Sequence, residues 1–426
     1  MPQKTTIKFE IKLTRSQKEV HKVINNPTTK LKYFTLNWSR QSGKSTLMKV
    51  LCLEWLFKKK VHIGYVCKNY ILAKKLYKDL ALLIPKMFVK SANGTDLIIE
   101  TTFGSSLQFF SAESGSSLRG LTFDYLICDE FAFFNFEQTD GTHLWYDILY
   151  PTIKVKGKKV IFVSTPLGKN NIFYEMYQKG RNPKNVRYYS TTRTIYEDGL
   201  VTPAEVEEIK NSIPDITFQQ EFLCRFLDSS LTFFKNFENC FKEIPKSYQK
   251  TWIGIDLSAA GSDNTILTKI NEKNECEVFE IRGSLSDKYV EIARLINQSR
   301  NLQGVYIEQN GIGTPMIEEI LKHVTPKSLV HPWLTTNNTK EDIIGNLAVT
   351  IEKEEITFDK NDLKLFDELG SFVCKPTKTG KLQFEAQNGK KDDRVMSVAM
   401  AFQCKNDYKY DKNIYFNKRI SSKNFI

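Results

Sequence analysis

The chain lacks the marks of several protein classes. Its eight cysteines, at positions 52, 67, 128, 224, 240, 276, 374 and 404, include no C-x-x-C pair. None is set against one of the five histidines at zinc-ligand spacing, which argues against a structural zinc site. Several lie in apolar runs, Tyr65-Val66-Cys67 and Leu126-Ile127-Cys128 among them, the setting of a buried reduced thiol rather than of a disulfide scaffold. The longest apolar stretches, such as residues 80–84, fall far short of the roughly 18 residues that a membrane span needs. The opening segment MPQKTTIKFEIKLTRSQKEV alternates charge with apolar residues and holds no signal-peptide core, so cytoplasmic residence with no membrane partner is the expectation. Internal repeats are absent as well.

What is present is enough chain for two cores. At 426 residues the sequence exceeds the roughly 250–300 at which a single hydrophobic core stops growing, so two domains are expected. The 61 basic residues outnumber the 49 acidic ones, a formal surplus of +12. Such a surplus suits a polyanionic partner, most often nucleic acid held through its phosphates. It equally suits a generally lysine-rich composition, and charge alone leaves the two readings level.

From residue 33 to about 195, β-rich runs alternate with helical patterns, which indicates a largely parallel sheet flanked by helices. Tyr33-Phe34-Thr35-Leu36 precedes a glycine-bearing turn, and 45–58 then reads as a helix with apolar residues at 47, 50, 51, 53, 56 and 57. Further strands are expected at 62–67, 97–102, 106–110, 125–128, 160–164 and 186–190. Residues 203–227 read as helical, opened by Pro203 and interrupted by Pro214, and 227–250 loses periodicity as a linker does. A second α/β pattern starts at Thr251-Trp252-Ile253-Gly254-Ile255-Asp256-Leu257. It continues with strands near 265–270, 277–282 and 304–308, a helix near 286–299 and a closing helix near 393–404. The stretch 405–426 mixes six Lys/Arg with Tyr408, Tyr410, Tyr415, Phe416 and Phe425, either a basic aromatic arm or a featureless solvated terminus.

A phosphate-binding loop needs a strand ending in an amide-rich turn, a lysine for the β- and γ-phosphates and a hydroxyl for Mg²⁺. Within Trp38-Ser39-Arg40-Gln41-Ser42-Gly43-Lys44-Ser45-Thr46, the run Gly43-Lys44-Ser45 supplies the last three positions, while Trp38 stands where the first glycine of G-x-x-x-x-G-K-[ST] belongs. About 85 residues later, Tyr125-Leu126-Ile127-Cys128-Asp129-Glu130 is an apolar strand delivering two adjacent carboxylates. Asp129 is placed to join the Mg²⁺ shell and Glu130 to orient and activate the attacking water. Val160-Ile161-Phe162-Val163-Ser164-Thr165-Pro166 is another buried strand, ending in hydroxyls where a γ-phosphate sensor belongs. Together these describe an ATP-hydrolysing domain.

The second half carries a different set. Asp256 ends the first strand of its pattern, Glu308 ends Val305-Tyr306-Ile307-Glu308, and Asp392-Asp393 open the closing helix. Carboxylates from distant parts of one sheet are what two divalent cations need to activate water and stabilise a leaving oxygen. Asp263, across a Gly-Ser turn from Asp256, is a candidate accessory ligand, and Asp392 either caps the helix or joins Asp393 at the metal.

In this order the pieces resemble the large terminase subunit of tailed bacteriophages, the motor that packages and cuts viral DNA, over nearly the whole chain. Leu13-Thr14-Arg15-Ser16-Gln17 looks like that family's adenine-recognising glutamine motif, which implies that Gln17 meets the base. Ser39-Arg40-Gln41-Ser42-Gly43-Lys44-Ser45 is similar to its deviant Walker A, which often lacks the first glycine and carries an arginine. Asp129-Glu130 matches Walker B, and Ser164-Thr165-Pro166-Leu167-Gly168 looks like the coupling motif linking hydrolysis to movement. Phe218-Gln219-Gln220-Glu221-Phe222-Leu223-Cys224 resembles the segment that closes the ATPase domain. Arg119, in Ser117-Leu118-Arg119-Gly120, stands where related terminases place an arginine reaching the neighbouring subunit's ATP. The alternative for it is a surface loop arginine. Gly254-Ile255-Asp256, Ile307-Glu308-Gln309-Asn310-Gly311 and Lys391-Asp392-Asp393-Arg394-Val395-Met396 carry over the acidic cluster of an RNase H-like nuclease, whose cleavage shows little sequence preference.

The resemblance therefore implies an additional-strand, RecA-like P-loop ATPase at 1–228, a linker at 229–250, an RNase H-like nuclease at 251–410 and a basic aromatic tail at 411–426. It implies ATP with Mg²⁺ held by Gln17, Arg40, Gln41, Ser42, Gly43, Lys44, Ser45, Thr46, Asp129 and Thr165, and two Mg²⁺ or Mn²⁺ at the nuclease. Its partners are double-stranded DNA, the portal protein of the procapsid and a small terminase subunit. The expected assembly is a homo-oligomeric ring, a pentamer, on the portal, with a monomer as the free form. The expected place is the host-cell cytoplasm, on the procapsid transiently and not in the mature virion. A helicase–nuclease of DNA repair is the rival among enzymes, but no arginine-bearing second helicase core follows the coupling strand. A non-catalytic DNA-binding scaffold is the rival outside them, and the intact Lys44, Glu130, Asp256, Glu308 and Asp393 argue against it.

Overall fold

The computed structural model describes residues 11–227, 232–244, 249–258, 265–310, 313–376, 382–387 and 390–409. The chain divides near Asp228 into two compact units, each with its own sheet. Asp263, the tail from 410 onward and parts of the expected linker lie outside the described residues.

The first unit is built on eight strands: β1 (Tyr33–Trp38), β2 (His62–Cys67), β3 (Val89–Asn93), β4 (Ile98–Thr101), β5 (Ser106–Ser111), β6 (Tyr125–Asp129), β7 (Lys159–Ser164) and β8 (Tyr188–Arg193). Their order in the sheet is β3-β4-β5-β2-β6-β7-β1-β8. From β5 to β8 every pairing is parallel. β7 therefore stands between the loop-bearing β1 and the carboxylate-bearing β6, which is the additional strand. Buried side chains of β1, such as Phe34 and Leu36, pack with Leu47, Leu51 and Trp55 of the helix Lys44–Leu56 in one core. β3 has no counterpart among the sequence expectations. Only its first residue is even half-buried, so it carries no apolar alternation to read and forms as the hairpin partner of β4. The helical stretch after Pro203 breaks at Pro214 into Pro203–Ser212 and Asp215–Glu221.

The second unit holds β9 (Phe241–Lys242), β10 (Thr251–Asp256), β11 (Thr265–Asn271), β12 (Glu275–Ile281), β13 (Leu302–Glu308), β14 (Val330–Trp333) and β15 (Thr357–Asp359), with a separate pair β16 (Phe372–Pro376) and β17 (Leu382–Ala386). The main sheet runs β14-β13-β10-β11-β12-β15-β9. β10, β11 and β12 form an antiparallel meander, and β13 and β14 extend it in parallel beyond β10. That is the strand order of the RNase H fold. The helix Asp393–Lys409 lies directly on β10, because Gly254 has no side chain there. A Cβ on it would stand 2.3 Å from the Ala401 nitrogen and the Ser397 carbonyl oxygen. Residues 232–244, aperiodic in sequence, are packed here: Phe233 and Phe234 are buried against Phe372, and β9 extends the sheet at β15. Irregular backbone hides their burial from any periodicity. The helices Leu285–Asn297, Gly313–His323, Asn337–Glu352 and Leu363–Ser371 complete the unit among the described residues. No helix among the described residues is long and apolar enough to cross a membrane.

Candidate nucleotide and metal sites

The phosphate loop begins later than its sequence pattern suggests. Trp38 is still strand, paired with Arg193 and 1% exposed, so the position of the missing glycine needs no unusual backbone. The turn is made instead by Gln41 and Gly43, at φ 60 and 77. For Gln41 a left-handed φ costs about 1 kcal/mol or more, a strain that loops store where they must bind. Ser42 Oγ closes the turn on the Ser39 carbonyl at 2.7 Å. Ser45 is exposed and Thr46 half-buried in the first turn of the helix that follows, whose N-terminus favours an anion.

Gln17 is bound up with this loop. Thr14 and Gln17 form a capping box, Gln17 Oε1 accepting from Thr14 N at 2.8 Å, while Gln17 Nε2 donates to the Gly43 carbonyl at 2.9 Å. Among the described residues these bonds use one amide hydrogen and one lone pair of Gln17, which is 2% exposed.

The ends of β1, β6 and β7 bring the other groups together. Lys44 is buried, with Nζ donating to the Trp38 and Ser39 carbonyls at 3.1 and 3.3 Å and standing 3.4 Å from Glu130 Oε1. Glu130 is itself left-handed, at φ 55, and its Oε2 accepts from Ser164 Oγ at 3.2 Å. Asp129 Oδ2 accepts from Tyr65 OH at 2.8 Å. Burial first and the neighbouring Glu130 charge second push the Asp129 carboxyl above the ordinary range. Two carboxylates in a partly dry site are unfavourable without a cation, and an all-oxygen set suits Mg²⁺.

Three residues beyond these were not assigned roles from sequence. Tyr65 holds Asp129, and Lys340 appears in the second unit below. The third, Glu221, is 5% exposed and takes Arg40 Nε at 2.8 Å and Thr165 Oγ1 at 3.0 Å on the same oxygen. It thereby joins the loop arginine to the coupling threonine. Arg119 is not gathered here. Its guanidinium is half-exposed and donates to Asp140 Oδ2 and Thr142 Oγ1, both at 3.0 Å.

In the second unit Asp256 and Glu308 end neighbouring parallel strands and share a hydrogen bond. Burial, that bond, the Glu308 charge and then Asp393 and Asp392 push the Asp256 carboxyl well above its usual range. Asp393 is brought to them by the helix lying on Gly254, with Ser397 Oγ donating to the Gly254 carbonyl at 2.9 Å. Asp392 is held differently, its Oδ2 accepting from Lys340 Nζ at 2.8 Å. Asp393 Oδ2 stands 4.0 Å from Lys391 Nζ. Among the described residues no three such side chains already stand at metal-ligand geometry. The mutual repulsion at Asp256 is what a divalent cation would relieve.

The fold and these two constellations define a class: an additional-strand P-loop domain followed by an RNase H-like domain with clustered carboxylates. The family model for the T4-like-virus-type, N-terminal part of the terminase large subunit matches residues 35–239. The large terminase subunit of Thermus virus P23-45 is 25% identical over 337 residues, covering 71% of this chain and 66% of that protein, just under two thirds of the relative's length. That of Escherichia phage T5 is 28% identical over 197 residues, 46% of this chain and 44% of the relative. Among solved structures, the large terminase of a thermophilic bacteriophage superposes with a TM-score of 0.58 at 14% identity, covering 92% of this chain and 99% of that one. The chain is similar to the large terminase subunits of tailed bacteriophages. A helicase–nuclease reading gains nothing from these likenesses.

Proposed function

We propose that the chain is an ATP-driven motor that moves double-stranded DNA into a procapsid and a metal-dependent endonuclease that cuts the concatemer. The observation that carries the reading is the meeting of Lys44, Glu130 and Ser164 at the ends of three neighbouring strands. The same thermophilic-phage terminase has been crystallised in complex with ATP-γ-S and with ADP, which supports a nucleotide as this chain's ligand.

In this reading the loop amides from Arg40 to Thr46 and the Lys44 ammonium hold the β- and γ-phosphates. Ser45 and Asp129 would hold Mg²⁺, which would supply positive charge to the phosphates. Once Lys44 turns to phosphate, Glu130 is released to orient the attacking water and take its proton. Ser164 keeps Glu130 aimed, and the Thr165–Glu221–Arg40 link transmits the change in the loop to the end of β7. Arg119 serves the neighbouring subunit's ATP in a pentameric ring on the portal, fed with DNA by a small terminase subunit in the host cytoplasm. At the nuclease, Asp256, Glu308 and Asp393, with Asp392 and Asp263 as accessories, hold two Mg²⁺ or Mn²⁺, which supply activated water and leaving-group stabilisation.

Two substitutions test the assignment. Lys44→Ala should lower ATP hydrolysis by about a hundredfold or more and leave plasmid cleavage in place. Asp256→Ala should abolish cleavage and leave ATP hydrolysis. Unchanged hydrolysis in the first, or unchanged cleavage in the second, overturns that half of the reading.

A further inference from the structure

The edge of the first sheet opposite the phosphate loop is cationic. Strands β2, β6, β7, β1 and β8 are parallel neighbours, so their starts lie along one edge. Four cations there are anchored on tyrosines. Lys58 and Lys158 lie 5.2 and 5.7 Å from the centre of the Tyr125 ring, and Lys32 and Arg187 lie 5.7 and 5.9 Å from that of Tyr33. Around them, in the turns feeding β2, β7 and β8, Lys59, Lys60, Lys156 and Lys184 are exposed and make no ion pair among the described residues. Carboxylates answer only in part: Asp124 pairs with Lys158 at 3.0 Å, and Glu54, one turn before Lys58, is taken up by His21 and Asn25. The cations also crowd one another. Burial and then the Arg187 charge lower the Lys32 pKa, and burial and then the Lys58 charge lower that of Lys159.

We propose that this edge, formed by the starts of β2, β6, β7, β1 and β8, is a docking surface for the phosphate backbone of duplex nucleic acid. Five strands spaced about 4.8 Å apart make it roughly 19 Å wide. Duplex DNA carries one charge per about 1.7 Å of axis, so several phosphates fall within that width. A set of like charges held close without matching acids is unfavourable in the free chain and becomes favourable when a polyanion releases its counterions to it. Tyrosine-anchored side chains lose less freedom on docking than loose lysines do. The contacts are to backbone, so the surface carries no sequence preference. The proposal rests on the DNA-handling reading above and assigns it a place, on the face away from the ATP chemistry.

The test uses the full chain and a fluorescein-labelled 30-base-pair duplex, with anisotropy read over a salt series. The triple variant Lys59→Glu/Lys156→Glu/Arg187→Glu should bind at least about tenfold more weakly at 0.1 M salt. Its slope of log K against log salt should be shallower by about 2.7, three contacts at about 0.9 each. The control Lys74→Glu/Lys75→Glu/Lys78→Glu alters three exposed lysines of the helix Tyr70–Leu83, away from this edge, and should change affinity less than twofold. The neutral variant Lys59→Gln/Lys156→Gln/Arg187→Gln, gentler on folding, should show about half the loss in log K. Equal losses in edge and control variants, or none in either, overturn the surface assignment. A wild-type chain that binds no duplex even at low salt overturns the DNA reading itself.

Discussion

Glu221 shows what one buried carboxylate can do between two motifs. Its Oε2 accepts from a guanidinium 181 residues away in sequence and from a hydroxyl 56 residues away, so the phosphate loop and the end of β7 share one atom. Removing it leaves Thr165 with a buried, unpaired hydroxyl and frees Arg40. Glu221→Ala should cost about 1–3 kcal/mol of stability. It should lower kcat for ATP about tenfold or more while KM moves less than about threefold, because the residue touches other protein groups and not the nucleotide. Glu221→Gln, which keeps an acceptor for Thr165, should fall between. Steady-state hydrolysis with wild-type kcat in both variants would dismiss the link. The segment Phe218–Cys224 resembles in sequence the one that closes the ATPase domain of terminases, yet nothing in it tells which residue turns inward or toward what.

At the scale of elements, the proposed nuclease cluster depends on how one helix sits on one strand. The helix Asp393–Lys409 reaches β10 only because position 254 has no Cβ, and the atoms a Cβ would meet are backbone, which cannot swing aside. Gly254→Ala should lose about 2 kcal/mol or more in urea unfolding. It should also slow cleavage about a hundredfold, since a shift of about 1 Å in Asp393 is enough to misplace a reacting group. Wild-type stability and cleavage together would refute this account of the contact. The start of the same helix is pinned by Arg394, buried, with Nη2 2.7 Å from Glu280 and Nη1 3.1 Å from Asp362. Burial alone would raise the Glu280 carboxyl, but hydrogen bonds from Lys364, Arg282 and Arg394 outweigh it and bring it from 4.5 down to about 2. A folded value below the unfolded one gives stability that is present above about pH 4.5 and lost as pH falls toward about 2. Glu280→Gln should therefore be less stable than wild type at pH 7 and show a flatter decline across that acid window, as read by urea midpoints at stepped pH. Parallel curves would deny the ion cluster its part in acid sensitivity.

At the scale of the whole molecule, Arg119 is the residue that the chain's own nucleotide site does not use. It is exposed and tied to Asp140 and Thr142, on the connection that leads into β6. If it completes a neighbour's site, subunits with Arg119→Ala and subunits with Glu130→Ala should partly restore ATP hydrolysis when mixed, since some junctions then pair an intact Arg119 with an intact Glu130. No recovery at any mixing ratio would leave Arg119 as a surface arginine.

The motifs were legible because they are local. A strand followed by Gly43-Lys44-Ser45, an apolar run ending in Asp129-Glu130, and another ending in Ser164-Thr165 announce themselves through residue type and period, and their order in the chain implied both fold classes. Asp256, Glu308 and Asp392-Asp393 were legible as strand-end and helix-start carboxylates for the same reason. What only the tertiary structure decided is which of these groups meet. β7 lies between β1 and β6, Gln41 rather than a first glycine makes the loop turn, Glu221 ties Arg40 to Thr165, and Lys340 takes Asp392. The physical reason is range. Hydrophobic period and turn chemistry act between residues a few positions apart, whereas a buried carboxylate is satisfied by whatever packing brings within about 3 Å of it, however distant along the chain.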